Sequence, residues 1–312
     1  MPPDTAARVA TASVLAALRT AMLAEQPGIE AGTDPEYLHR YRVALRRTRT
    51  LLAQMRRVLP SRRVSVLRDA LAWLAELTTH VRDMDVYLAH WPDYYQEVPA
   101  ARRQHLMPLH AHLTTRRERL RSMLLRALHS DRYNVLMQTW VDLESRLREH
   151  PGKKSKPIAE VAGKRLGRLR KRLIAEAAEL KEDSPPLQLH ELRKTCKKLR
   201  YMLEFSRGLL PKNELRPLLS HLKELQDALG AMHDLYVHHA ALADFRQALA
   251  GKVPTETQQA IAMLLDHLQV KRHGAFAQVA QRLREFTSLL VQLQTVALLA
   301  GTTVSAVAEP AG

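Results

Sequence analysis

The stretch LHRYRVALRRTRTLLAQMRRVLP at residues 38–60 returns as LHELRKTCKKLRYMLEFSRGLLP at residues 189–211, an offset of 151 residues. Leu38, His39, Arg42, Arg49, Leu52, Leu59 and Pro60 fall on Leu189, His190, Arg193, Arg200, Leu203, Leu210 and Pro211. With no gap, Leu67, Leu71, Leu74, Asp83 and Val86 then fall on Leu218, Leu222, Leu225, Asp234 and Val237. Apolar, basic, acidic and proline positions kept in one register mark an internal duplication, and two such copies are obliged to fold alike. The expected halves are residues 4–149 and 157–300, with the polar, proline-bracketed segment HPGKKSKP supplying a linker at 150–156 and a frayed tail at 304–312.

The halves are expected to be helical. Leucine, alanine and arginine dominate, glycine is scarce at 11 of 312 residues, and no run of alternating β-branched residues suggests a strand. The fold class that follows is all-α, as two antiparallel four-helix bundles related by a pseudo-twofold. A first helix is expected over about residues 4–25, ended by EQPGIEAGTD. Asp34 then caps a second helix with Pro35 in its first turn, running to Pro60. Further helices are expected at 67–91, 97–130, 132–149, 158–182, 187–205, 213–229 and 231–250, with two more to about 300. The uncharged stretch Phe286 to Ala308 is long enough for a bilayer, but two glutamines dilute it and a packed closing helix is expected, with no membrane insertion. The N-terminus has an acid and no basic run before its apolar stretch, so it reads as an amphipathic helix and not a signal peptide.

On a helical wheel with Leu38 at zero, Tyr41, Leu45, Leu52, Met55 and Leu59 occupy one stripe, and His39, Arg42, Arg46, Arg49 and Arg56 the stripe beside it. Arg40, Arg47 and Arg57 fall on the far side, where they are expected to face water. The second copy repeats the basic stripe with His190, Arg193, Lys197 and Arg200. Most charge runs are merely solvated faces. This one borders a core, where cationic heads still need counter-charge. It also sets like charges at i,i+4, which disfavours the helix by a few tenths of a kcal/mol per pair, roughly. Glu36 is the single acid between residues 36 and 68, against ten arginines. An external polyanion is therefore favoured over an internal lattice of ion pairs, although Asp83, Asp85 and Asp234 are available from neighbouring helices.

The whole chain supports that reading. Forty-eight Lys and Arg against 32 Asp and Glu give a formal charge of +16, which steers polyanions. A duplex reader needs a protruding element for the groove, and single-stranded RNA wants stacking aromatics, which are only 5% of this sequence. A chain of bare phosphates needs charge and hydrogen bonds without stacking. These considerations place inorganic polyphosphate slightly ahead of nucleic acid, which stays as the alternative ligand. His39 and His190, each within a turn of an arginine, should gain protons when phosphate binds. The lone Cys196 admits no intramolecular disulfide, which suits a reducing, cytoplasmic compartment.

The motifs YLHRYRVALRRTRTLL, VRDMDV, SDRYNVLMQTW, LHELRKTCKKLRYMLEF and HLKELQDALGAMHD together resemble the CHAD family, the conserved histidine α-helical domain, over essentially the whole length. The resemblance implies a single CHAD domain over residues 4–300, two four-helix bundles about a pseudo-twofold, and basic residues lining a shared surface or channel. It also implies binding of inorganic polyphosphate and, as in several bacterial members, residence on polyphosphate granules. Carried over residue by residue, the implied ligands are His39, Arg42, Arg46 and Arg49 with His190, Arg193, Lys197 and Arg200, and more distantly Arg56, Arg82, Arg116, Arg126 and Lys198. Three positions depart from the family pattern: Thr48 for a leucine, Thr79 for a turn glycine and His233 for an asparagine. No two glutamates are separated by one residue, so the Glu-x-Glu-x-Lys signature of the CYTH barrel that often accompanies CHAD is absent and a stand-alone member is expected.

An enzyme is not expected. The sequence has no His-Glu-x-x-His, no Walker loop and no cysteine cluster, and no cofactor or metal site is anticipated. The paired histidines His110 with His112 and His238 with His239 read as surface residues. A Mg-dependent polyphosphatase recruiting Asp83, Asp85 or Asp234 is the minor alternative. Spacing and composition carry no signal of oligomeric state.

Overall fold

The computed structural model describes residues 2–151 and 156–292, so the expected tail, the end of the closing helix and most of the expected linker lie outside the described residues. The fold is all-α. Ten helices are present among the described residues: α1 (Ala7–Ala31), α2 (Pro35–Gln54), α3 (Ser61–Ala89), α4 (Trp91–Glu97), α5 (Met107–Leu128), α6 (Asp131–Glu149), α7 (Ile158–Glu179), α8 (Pro186–Phe205), α9 (Lys212–Ala248) and α10 (Thr255–Gln292). Short 3-10 turns cover Ala100–Leu106 and Arg207–Leu209, and no strand occurs among the described residues.

The duplication appears in the helix starts. α1 and α7, α2 and α8, and α3 and α9 each begin at the same 151-residue offset seen in the sequence. The entry segments of the two copies also pair with each other: Ala7 N donates to Lys156 O at 3.0 Å, and Ile158 N donates to Thr5 O at 2.9 Å. Under the same offset these two bonds are one bond written twice.

Local signals explain the starts. Asp34 accepts from Glu36 N at 2.8 Å and Pro35 occupies the first turn of α2. Pro60 and Pro211 precede α3 and α9, and α2 stops at Gln54 rather than reaching Pro60. Residues 55–59 form a turn, because the residue before a proline is pushed away from helical geometry and the last turn unwinds ahead of it.

Tertiary packing overrides two expected breaks. α1 continues through Pro27 to Ala31 and ends at Gly32, whose φ of 69° provides a left-handed cap. Met22 and Ile29 are buried on either side of the proline, and Gly28 lets the Tyr37 ring close onto the helix. α9 likewise runs unbroken through Gly230, between buried Leu229 and Met232. The two helices expected after residue 250 are the single α10, whereas the helix expected over 97–130 is divided by Pro99 and Pro108 into α4, a 3-10 turn and α5.

Three cores hold the chain. The first is built by α1, α2, α3 and α6 with the end of α5, around Trp140, Tyr41, Leu52 and Leu67. The second is built by α7, α8, α9 and α10, around Leu199, Leu222 and Phe286. The third joins both sides of the linker: Met84, Tyr87, Tyr94, Leu109 and Leu113 pack against Leu242, Phe245, Ile261 and Leu264. α1 is long and apolar enough to cross a membrane. In the fold its Ala7, Ala10, Ala12, Leu15 and Met22 are buried against other helices, and its Arg19 makes a two-pronged bond to the buried Glu144 at 3.0 and 3.2 Å.

Candidate functional site

The third core braces α4 and the starts of α5 and α10 against α9, while α2 and α8 touch one another directly. Between them lies a cavity of about 990 Å³, whose lining comes from α2, α8, α9, α10, α4 and the adjoining His90. Of the residues picked out in the sequence, His39, Arg46, Arg193, Lys197 and Arg200 line this cavity. The two basic stripes therefore meet across one space.

The charges in it are poorly compensated from within. Among the described residues, Arg46, Arg193 and Lys197 form no ion pair, and the buried Nε atoms of Arg46 and Arg193 have no hydrogen-bond partner. Burial, then the charges of Arg193 and Arg46, pull the Lys197 ammonium down to about 7. Burial also lowers Arg193; the Asp234 charge works against that lowering and the Arg46 charge adds to it. Asp234 is thus the internal counter-charge of this wall, acting on both Arg193 and Lys197. Arg200 is different: it donates to Glu204 at 2.9 Å and to Gln226 at 3.1 Å.

Repeat-related positions have been put to different uses. Arg42 and Arg193 are the same position in the two copies, yet only Arg193 lines the cavity. The Arg42 Nη1 donates to Thr79 Oγ1 at 2.8 Å and to Thr78 Oγ1 at 3.2 Å, which ties it to α3. The counterparts of Thr78 and Thr79 are Leu229 and Gly230, which offer Arg193 no acceptor. Burial and the Arg46 charge bring Arg42 down to about 10. Thr79 lies in mid-α3 and not in a turn, so its departure from the family pattern changes a side-chain contact. The fully buried Thr48 donates to Ala44 O at 3.0 Å, a purely internal role.

The remaining expected ligands are dispersed. Arg49 is exposed, and Arg68 is its charged neighbour. Arg82 lies close enough to His39 and Arg42 to depress both. Arg116 sits 5.5 Å over the Phe245 ring, and Arg126 is exposed on α5. Lys198 faces Arg172, Lys194 and Glu191, away from the cavity lining. Arg56 lies beyond the end of α2, where the helical wheel no longer applies. The His190 ring lies 5.3 Å from that of His233, tilted by 40°. Burial lowers His39 and His190, and burial with Arg193 holds His233 at about 4, so these imidazoles are neutral near pH 7.

Several cavity residues escaped the sequence reading. Arg47, expected in water, pairs with Glu204 at 2.8 Å and lies over the Tyr201 ring, so Glu204 clamps α2 to α8 between Arg47 and Arg200. His238, expected at the surface, is buried and bonded through Nδ1 to Tyr94 OH at 2.7 Å. Lys271 and His267 share Glu97. Their signal was the long-range fold, although the Thr79 for Gly230 exchange was visible in the repeat. Asp85 is taken by Arg117 at 2.7 Å rather than by a stripe arginine. Among the described residues, no group of three or more His, Cys, Asp or Glu side chains is disposed to hold a metal ion.

Comparison with known proteins follows the same lines. The chain is similar to the crystal structure of the CHAD domain from the plant Ricinus communis, with 26% identity over 91% of this chain and 93% of that one and a TM-score of 0.76. It shares its fold with PptA from Streptomyces chartreusis, at 18% identity over 90% of this chain and all of that one, TM-score 0.72. No curated protein matches it. The family model of the CHAD domain matches residues 13–243, the span that carries both basic stripes and most of the cavity wall, and the chain belongs to the CHAD family.

Proposed function

We propose that this protein binds inorganic polyphosphate in the cavity between α2 and α8, without turning it over. One observation carries the reading: Arg46, Arg193 and Lys197 converge in one space with no ion pair among the described residues, and two of their buried nitrogen atoms lack any partner. Buried donors without acceptors are costly, and phosphate oxygens would satisfy them. The family is linked to polyphosphate, and its members are generally non-catalytic. His39 and Arg200 complete the near wall, with Arg42, Arg49 and Arg82 as flanking charge and His190 as a neutral neighbour of Arg193 and Lys197. We read the chain as one CHAD domain over residues 4–300 of two antiparallel four-helix bundles, α5 and α6 taking the place in the first that α10 takes in the second. The matched helix starts and the reciprocal bonds of Ala7 and Ile158 support a pseudo-twofold between them. The protein acts in the cytoplasm, at polyphosphate granules.

The test is a competition at fixed ionic strength between long-chain polyphosphate, heparin, single-stranded RNA and duplex DNA. Polyphosphate should win, and its log K should fall with log salt at about 0.7 per phosphate contacted, roughly 3 for the four cations Arg46, Arg193, Lys197 and Arg200. RNA or DNA binding as tightly at matched salt would move the assignment to nucleic acid. Orthophosphate release from the purified protein with Mg²⁺ would make it a polyphosphatase.

A further inference from the structure

A second group of arginines lies apart from the cavity. Arg56 and Arg57 project from the turn that follows α2, and Arg165 and Arg168 stand one turn apart on α7. Neither α7 nor residues 55–59 contribute to the cavity lining. The turn is held from below by Arg8, whose Nε donates to Val58 O at 2.6 Å and whose Nη1 donates to His150 O at 3.3 Å. Its arginines are thus presented by a braced loop.

No acid answers this charge. Among the described residues, Arg56, Arg57, Arg165 and Arg168 form no ion pair, although Lys156, Lys164 and Arg172 on the same stretch all find glutamates. The Nη2 of Arg165 is buried and has no hydrogen-bond partner. Burial, Arg168, Arg57 and Arg56, in that order, lower its pKa, so the other three guanidinium groups lie near enough to crowd Arg165 in the free protein. The duplication does not require this arrangement: the positions of Arg165 and Arg168 correspond to Val14 and Ala17 in α1.

We infer that Arg56, Arg57, Arg165 and Arg168 form a second phosphate-binding site, distinct from the cavity, that takes another stretch of an oligophosphate chain. Guanidinium forks suit phosphate oxygens, and an anion here would satisfy Arg165 and relieve the repulsion. This rests on the reading of the ligand as an oligophosphate, but not on which site binds first. A long chain reaching both sites gains affinity through effective concentration without any further contact.

The experiment is a calorimetric titration with linear tripolyphosphate and, separately, long-chain polyphosphate. The parent should take two tripolyphosphates per chain. An Arg165→Gln, Arg168→Gln variant should take one and should bind the long chain at least tenfold more weakly. An Arg56→Gln, Arg57→Gln variant, altered only on an exposed turn, should give the same result and guards against a folding defect at Arg165. An Arg46→Gln, Arg193→Gln variant should also take one, retaining the site on α7. One tripolyphosphate per parent chain, or two still bound by both the Arg165/Arg168 and the Arg56/Arg57 variants, overturns the second site. If the cavity variant alone keeps two, the cavity reading falls while the α7 site is judged by its own variants.

Discussion

Lys197 offers the sharpest test of the cavity, because its charge there depends on the ligand. In the free protein burial, Arg193, Arg46 and Arg42 hold its pKa to about 7 against the ordinary 10.5, with Asp234 alone acting in the opposite direction. A phosphate beside it would restore the charged form. If the bound pKa returns to 10.5, the affinity should fall about tenfold between pH 6 and pH 8 from this one group, or about 1.4 kcal/mol. Proton uptake on binding should be about 0.1 per site at pH 6 and about 0.9 at pH 8. Titration calorimetry in two buffers of different ionisation enthalpy reads that uptake directly, and long chains keep terminal phosphates from contributing. A Lys197→Arg variant, charged at both pH values, should bind with little uptake and a flat profile. Burial lowers His39 and His190, so a bound phosphate that favours their charged form adds uptake common to the parent and the Lys197→Arg variant, and the difference between the two isolates Lys197. Equal uptake by parent and Lys197→Arg at pH 8 would refute the argument. In the absence of ligand the same shift has a fixed sign. The folded state holds fewer protons than the unfolded state between about pH 7 and 10.5, so stability rises with pH across that window.

Three further outcomes follow from the contacts. Arg193→Ala and Arg46→Ala should each weaken polyphosphate binding roughly ten- to a hundredfold, the range for losing a charged hydrogen bond, whereas Arg42→Ala and Arg49→Ala should stay within about threefold by the same reasoning; equal losses at Arg42 and Arg193 would contradict the asymmetry. Thr79→Gly with Thr78→Leu copies Leu229 and Gly230 into the first half and removes both hydroxyls that hold Arg42, so it should loosen Arg42, steepen the salt dependence of binding by about 0.7 and lower Tm, helical glycine costing about 1 kcal/mol; an unchanged salt slope would show that Arg42 stays out of reach. Gly28→Ala would place a methyl 2.2 Å from the Tyr37 ring, and the overpacking should cost about 1–3 kcal/mol, visible as a lower Tm with binding retained.

The framework was legible in the sequence, because the signals for it act within a turn or two. The duplication fixed which helices correspond. Asp34 with Pro35, and Pro60 with Pro211, set starts that recur at one offset. Apolar spacing assigned Tyr41, Leu45, Leu52, Met55 and Leu59 to one stripe, and all five are in the first core. The basic stripes could be seen beside those cores, and their five cavity members were among the residues named.

Tertiary structure alone decided what each long cation meets at its tip. Arg42 and Arg193 are identical in the repeat, but one finds the hydroxyls of Thr78 and Thr79 on α3 and the other faces open space beside Gly230. Arg47 looked solvated on its own helix and became an inter-helix clamp because α8 brought Glu204 to it. The passage of α1 through Pro27 and of α9 through Gly230 was likewise set from outside the segment, since burial on both sides outweighs a local penalty of a few kcal/mol, roughly. A helical wheel gives the direction in which a side chain leaves its own backbone. The partner that a flexible arginine reaches is supplied by another helix, more than a hundred residues away for Arg47 and Glu204.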